Sequence, residues 1–383
     1  MPDLDLTDEQ RALREMARDF AARELRPVAW EYDKAGDWPG EQIARAWEVG
    51  LMNPDVPEQL GGAGASQLDG AIIGEELSWG CSGISTSIIN NTLAYTPVLL
   101  AGSDALKRRY VGALTEAPLL ASFALTEPDA GSDVAGMRTH ATRVGGSWVL
   151  NGAKCFITNG GYADWYTLFA KTDPSAGRRG ISAFVVPRDA GVVVAGKEDK
   201  LGQRASNTAM LTFEDVEIRA ANLLGEEGDG FRIAMETLNH TRATTAAMAV
   251  GIAQAAFDFA RDYALERVQF GKPIAEHQAI AFLLADMATD IHAARLMAWN
   301  AARLIDGGAA GTLESSHAKR FAADAAMRIT TDAVQIYGGY GFIKDYPVEK
   351  LFRDAKIMQL YEGTSQIQRL VIARELLRAP VRT

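Results

Sequence analysis

The spacing of apolar residues divides the chain into a helical part, a strand-rich part and a second helical part. Thr7-Asp8-Glu9-Gln10 has the form of a capping box, and Leu13, Met16, Ala17, Phe20 and Leu25 follow at helical spacing up to Pro27. Glu41 to Val49, Leu68 to Ser78, Ile84 to Leu93 and Asp104 to Leu114 predict further helices, with a Gly-rich loop at Gln59 to Gly64. From about Leu119 the period shortens. Arg138 to Val144 and Ser147 to Leu150 flank Gly145-Gly146 and predict a hairpin. Cys155 to Thr158, Trp165 to Ala170, Ile181 to Val186, Val192 to Ala195 and Ala209 to Val216 are short β-branched or aromatic runs. Their spacing predicts a small barrel or sandwich. After Gly225 to Gly230 the helical period returns, over Phe231 to Arg267, Ile274 to Ile305, Ser315 to Tyr337 and Tyr346 to Arg378, the last broken at Gly363. Long Ala-rich helices with apolar stripes suit a bundle, and their surplus apolar surface points to contacts between copies. The reading is an α+β chain with domains at 1–118, 119–230 and 231–383.

With 383 residues, 48% of them hydrophobic, the chain can bury two or three real cores. A net charge of −10 argues against general nucleic-acid or anionic-membrane binding but leaves room for a local basic pocket. Cys81 and Cys155 lie far apart and suggest a reducing compartment, so a cytoplasmic location is expected. The five histidines show no metal-ligand spacing, and no metal site is expected. The acidic start, Met1 to Asp5, lacks the basic and apolar regions of a signal peptide. Ala243 to Phe257 is too short for a membrane span and reads as a buried helix.

The most informative stretch is Tyr361-Glu362-Gly363-Thr364-Ser365-Gln366. It sets a carboxylate between two helical segments, with Ser365-x-x-Gln368 reading as a capping box for the second. Glu362 is either a base held out of water, where desolvation raises its basicity, or a decoration of a helix N-terminus. Phe123 to Asp133 runs into a turn that either aims N–H groups at an anion or is simply a good turn. Phe156 and Thr158 offer a ring face and a hydroxyl to a planar ligand, or are core and surface residues of one strand. Arg242, among apolar and small residues, pairs with a buried acid or meets an anionic ligand such as a phosphate. Gln335 to Gly341 ends a helix in a Gly-rich turn. No Rossmann fingerprint, nucleophile elbow or Walker loop is present.

In this order, these pieces resemble the acyl-CoA dehydrogenase family, from about Leu6 to Leu377. The resemblance implies a helical N-terminal domain, a central β-barrel-like domain and a C-terminal four-helix bundle. It implies FAD as cofactor, with Phe123, Leu125, Thr126, Gly131 and Ser132 along the flavin and pyrophosphate, and Phe156, Ile157 and Thr158 flanking the ring. Arg267, Gln269, Phe270, Gln278, Gln335, Ile336, Gly338 and Gly339 would contact FAD across a subunit interface, and Thr364 and Gln366 its adenosine half. Ser132, Asn239, Arg242, Tyr361 and Gly363 would meet the acyl-CoA, whose acyl chain is expected over an apolar floor of Ile88, Ile89 and Leu93. Glu362 would remove the α-proton as the β-hydrogen leaves as hydride, giving a trans-2-enoyl-CoA. Some relatives carry the base at the position matching Thr241, where Thr cannot serve, and many have Trp where this chain has Phe156. Electrons would pass to an electron-transfer flavoprotein, in a homotetramer serving fatty-acid β-oxidation. The alternatives are an oxygen-using oxidase on the same scaffold and a non-catalytic helical scaffold.

Overall fold

The computed structural model describes residues 5–378. Met1 to Leu4 and residues 379–383 lie outside them, and with them most of the acidic start discussed above. The N-terminal part comprises α1 (Asp8–Phe20), α2 (Ala29–Ala35), α3 (Gly40–Glu48), α4 (Gln67–Ala101), α5 (Asp104–Leu106) and α6 (Ala113–Glu116). Thr7 does cap α1: its side chain accepts from Gln10 N–H while Gln10 reaches back to Thr7 N–H. The two helices expected over Leu68 to Ser78 and Ile84 to Leu93 meet end to end in α4, which kinks between them at Cys81, whose φ of −158° and ψ of 112° are not helical. The bend lets Gly80 pack on Ala21 and Ser82 reach the C-terminal part.

The middle part is an eight-stranded sheet: β1 (Ala121–Ala124), β2 (His140–Val144), β3 (Ser147–Thr158), β4 (Trp165–Lys171), β5 (Ile181–Pro187), β6 (Val193–Lys197), β7 (Thr208–Arg219) and β8 (Leu223–Leu224). The strand order is β6-β7-β3-β2-β4-β5-β8, with β1 parallel to β4. The β2–β3 hairpin turns at Gly145-Gly146 as the sequence predicts. Cys155 to Thr158 is the end of β3 rather than a separate strand. Its register against β7 slips between Lys154 and Ile157, and Phe156 in that bulge has φ 58°. A bulge re-aims one side chain out of the alternation, and here it turns Phe156 out of the sheet.

The C-terminal part holds α7 (Gly230–Glu266), the ribbon β9 (Val268–Gln269) and β10 (Lys272–Pro273), α8 (Gln278–Asp306), α9 (Thr312–Tyr337), α10 (Val348–Ala355) and α11 (Ser365–Arg378). The long helices bury an Ala-rich core that includes Ala246, Ala253, Ala298, Ala322 and Ala326. Small residues let the helix axes approach closely. Helices α4 and α7 are so close that a Cβ on Gly251 would sit 2.1 Å from the Glu75 carbonyl. By length and composition α7 could cross a membrane, but 78% of its most apolar window is buried in the protein.

Charged groups knit the three parts together beneath the Cys81 bend. Asp354 of α10, fully buried, accepts from Ser82 Oγ at 2.9 Å, from Gln203 N–H and from Lys350, whose Nζ also lies 3.6 Å from Cys81 Sγ. Arg353 adds ion pairs to Asp33 at 2.6 Å and Glu349 at 2.7 Å.

Candidate active site

Helices α4 and α7, the sheet and the turn between α10 and α11 enclose a cavity of about 450 Å³. Glu362 is half-buried and lines it. The carboxylate sits on a backbone that only a tightly held turn tolerates. Glu362 has φ 51° and Gly363 φ 87°, so the left-handed bend begins on the acid itself and not only on the glycine after it. For a residue with a Cβ this costs about 1–2 kcal/mol. The turn is fastened from inside. Lys319 Nζ donates to the Gly363 carbonyl at 2.7 Å, and Gln368 Nε2 donates to the carbonyls of Glu362 and Gly363 at 3.1 and 3.2 Å. Thr364, not Ser365, caps α11, accepting from Ile367 N–H at 3.1 Å. Ser365 instead donates to Asp324 at 2.9 Å.

Burial raises the pKa of Glu362 above the ordinary carboxylate range. Hydroxyls of Thr245 and Thr241 and the charges of Lys319 and Arg242 pull the other way without cancelling it. Thr241 Oγ1 donates to Glu362 Oε2 at 3.0 Å, a neutral donor on the carboxylate. Tyr361 beside it gives its hydroxyl to Met358 Sδ at 2.9 Å.

On the opposite wall stand Phe123, Leu125, Thr126, Gly131, Ser132, Phe156, Ile157 and Thr158. Phe156 is 63% exposed although it lines the cavity, which suits a ring face awaiting a stacked partner. The loop from Leu125 is pinned by a buried ion pair. Lys154 Nζ meets Glu127 Oε1 at 2.8 Å and the Leu125 carbonyl at 2.9 Å, while Glu127 also accepts from Arg138 N–H at 2.6 Å and Thr139 N–H at 3.0 Å. Burial pushes Lys154 down to about 8, and would push Glu127 up, but the ammonium, the Arg138 N–H and Thr139 hold that carboxyl below its usual range. Both groups are charged at neutral pH.

Arg242, only 4% exposed, bonds Asn239 Oδ1, and Asn239 in turn donates to Thr312 at 3.0 Å. Its Nε–H has no partner, and burial pushes the guanidinium down to about 10. A buried, unsatisfied cationic donor on a cavity wall has the chemistry of a seat for an anion. The inner cavity lies where the sequence places the acyl chain, with Ile89 and Leu93 on it. Ile88 is not a floor residue: it turns away and is fully buried in the core cluster that also holds Ala17, Ile43 and Leu120.

The remaining predicted residues do not join this cavity within one chain. Arg267, Gln269, Phe270, Ile336, Gly338 and Gly339 line a second groove of about 660 Å³ with Tyr263 and Tyr337. Phe270, at the tip of the β9–β10 ribbon, is 95% exposed. Gln278 opens α8 and Gln335 lies in the last turn of α9, both exposed. Gln366 lines a third hollow beside Asp324. Sequence reasoning missed Lys319, Gln368, Thr245 and the partnering role of Thr241. The one legible signal was Lys319 itself, a charge one turn before the stripe Ala322, Ala326, Ile329, Ala333 on the same helix face.

The N-terminal, middle and C-terminal domain models of the acyl-CoA dehydrogenases match residues 7–117, 122–216 and 228–377. An acyl-CoA dehydrogenase of Bacillus subtilis is 48% identical, over 98% of this chain and 99% of its own. The mitochondrial short-chain specific acyl-CoA dehydrogenase of Rattus norvegicus is 47% identical, over 98% and 92%. The solved structure of butyryl-CoA dehydrogenase from Megasphaera elsdenii superposes with a TM-score of 0.96 at 43% identity, covering 98% of this chain and all of that one. The chain belongs to the acyl-CoA dehydrogenase family. It is a flavoprotein oxidoreductase whose cofactor is FAD.

Proposed function

We propose that this chain converts a short saturated acyl-CoA to its trans-2-enoyl-CoA, with Glu362 as the base that takes the α-proton. Bound FAD would supply the two-electron acceptor for the β-hydride. The observation that carries the reading is the setting of Glu362: on the cavity wall, bonded to a neutral hydroxyl rather than neutralised by a cation, and made more basic by burial. A carbon acid demands a base stronger than an ordinary carboxylate, and desolvation provides one. The Glu362 N–H would donate to the thioester carbonyl and stabilise the enolate-like charge. Phe156, Thr158 and Thr126 would hold the flavin ring, while Ser132, Asn239 and Arg242 would seat the CoA. The open Nε–H of Arg242 and the uncovered face of Phe156 support those assignments.

The second groove, with Arg267, Gln269, Phe270, Gln335, Ile336, Gly338, Gly339 and Gln278 in or beside it, would complete the FAD site of a neighbouring copy, in a homotetramer. Thr364 and Gln366 would face the adenosine half. An electron-transfer flavoprotein would reoxidise the enzyme in the cytoplasm, as part of fatty-acid β-oxidation. The relatives' short-chain and butyryl substrates support a short acyl group. Divisions at 118/119 and 230/231 would separate the domains.

The test is anaerobic bleaching of the yellow holoenzyme by butyryl-CoA. Glu362→Gln retains FAD and does not bleach; a variant that bleaches at the wild-type rate refutes the assignment. Peroxide release in air without a protein acceptor would favour the oxidase alternative, and a colourless protein unable to take up FAD the scaffold.

A further inference from the structure

We propose that Lys319 is a positioning residue for the reaction: from inside the bundle it fixes the left-handed Glu362-Gly363 turn and holds the carboxylate ready to ionise. The inference rests on the assignment of Glu362 as base and deepens it.

Lys319 lies on α9, is 1% exposed, and forms no ion pair within contact distance among the described residues. Burying a cation this way is costly, and structures retain one only where something compensates. The compensation here is a carbonyl and a charge. Its ammonium donates to the Gly363 carbonyl at 2.7 Å, and the charged groups facing it are Glu362 of the turn, Arg242 of α7 and Asp324 of its own helix. Burial, reinforced by Arg242 and opposed by Glu362 and Asp324, lowers Lys319 to about 8, so it is mostly protonated at neutral pH.

Two consecutive residues with positive φ present their carbonyls to side chains of the bundle. Lys319 takes one, and Gln368 bridges both. Without these donors the turn would relax towards ordinary backbone angles, carrying the Glu362 carboxylate and N–H away from the cavity. The two donors differ in one respect. Gln368 is neutral and only positions, whereas Lys319 positions and also favours the ionised carboxylate through its charge. Separate substitutions therefore distinguish geometry from electrostatics.

The experiment uses FAD-loaded holoenzyme and anaerobic bleaching by butyryl-CoA across pH 5 to 9. Lys319→Met should keep FAD, bleach about tenfold or more slowly, since the loss of one charge-assisted hydrogen bond to the turn is of that order, and move the acid limb of the rate profile upward by about one pH unit, since the ammonium's charge no longer favours the carboxylate. Gln368→Leu should slow bleaching similarly and leave the limb in place. Wild-type rate and an unmoved limb in Lys319→Met overturn the proposal. If Lys319→Met does not fold, Lys319→Gln with Gln368→Leu decides the matter, and wild-type rates and limbs in both overturn it. A Glu362→Gln control that still bleaches would instead overturn the base assignment, a separate failure.

Discussion

Replacing Thr241 with Val removes one hydroxyl from Glu362 while keeping volume and branching. The Thr241 hydroxyl has a single proton and two acceptors in reach, the Thr237 carbonyl at 3.3 Å and Glu362 Oε2 at 3.0 Å. When Glu362 is ionised, the closer and charged acceptor wins. A hydrogen bond to a charged group contributes about 1.5–3 kcal/mol, and about 1.4 kcal/mol corresponds to one pKa unit. Thr245 remains as a second donor and recovers part of the loss, so a shift of about one unit is expected. The sign follows from the state that the hydroxyl stabilises. It favours the carboxylate, so its removal raises the pKa of Glu362 further, and more of the enzyme carries a protonated, inactive base at any given acid pH. Stopped-flow bleaching of the holoenzyme by butyryl-CoA, measured from pH 5 to 9, should show the acid limb displaced upward and the plateau nearly unchanged. An unmoved limb, or one moved downward, would refute the idea that Thr241 tunes the base.

Glu362 should also cost the protein stability. Its pKa is raised on folding, so the folded chain binds more protons than the unfolded chain between the two values, and stability falls as pH rises through that window. Glu362→Gln removes this cost and should raise the melting temperature at pH 8 by about 2 °C, with no gain at pH 4, in calorimetry of FAD-matched samples; equal melting points at pH 8 would contradict it. Arg242→Met should retain FAD and raise the KM for butyryl-CoA about 10- to 100-fold, the loss of a hydrogen bond between charged groups. An unchanged KM would move the CoA site elsewhere.

Much of the architecture was readable because it rests on period and turn chemistry. The Gly145-Gly146 hairpin, the Thr7 cap and the long helices α7 and α9 all occur close to their expected bounds. What escaped depends on contacts between distant segments. A break between Ser78 and Ile84 was legible, but not what the bend serves: it brings Gly80 against Ala21 and Cys81 against Lys350. Ser365 has the composition of a cap, yet Asp324 draws its hydroxyl away and Thr364 takes that place. The turn's strain falls on Glu362 as well as Gly363, and a glycine-based reading sees only the second. No local pattern announces the contacts of Thr241 and Lys319, to which the fold brings residues 121 and 44 positions away.

The buried knot around Asp354 carries a consequence for evolution and engineering. Helix α10 is the stalk on which the Glu362 turn stands, and that stalk is bolted to Asp33, Ser82 and Gln203, each far away in the chain. The Glu362 carboxylate is therefore not portable. A chimera that borrows its C-terminal half from a relative would inherit the carboxylate but misplace it, unless those three anchors travelled with the graft.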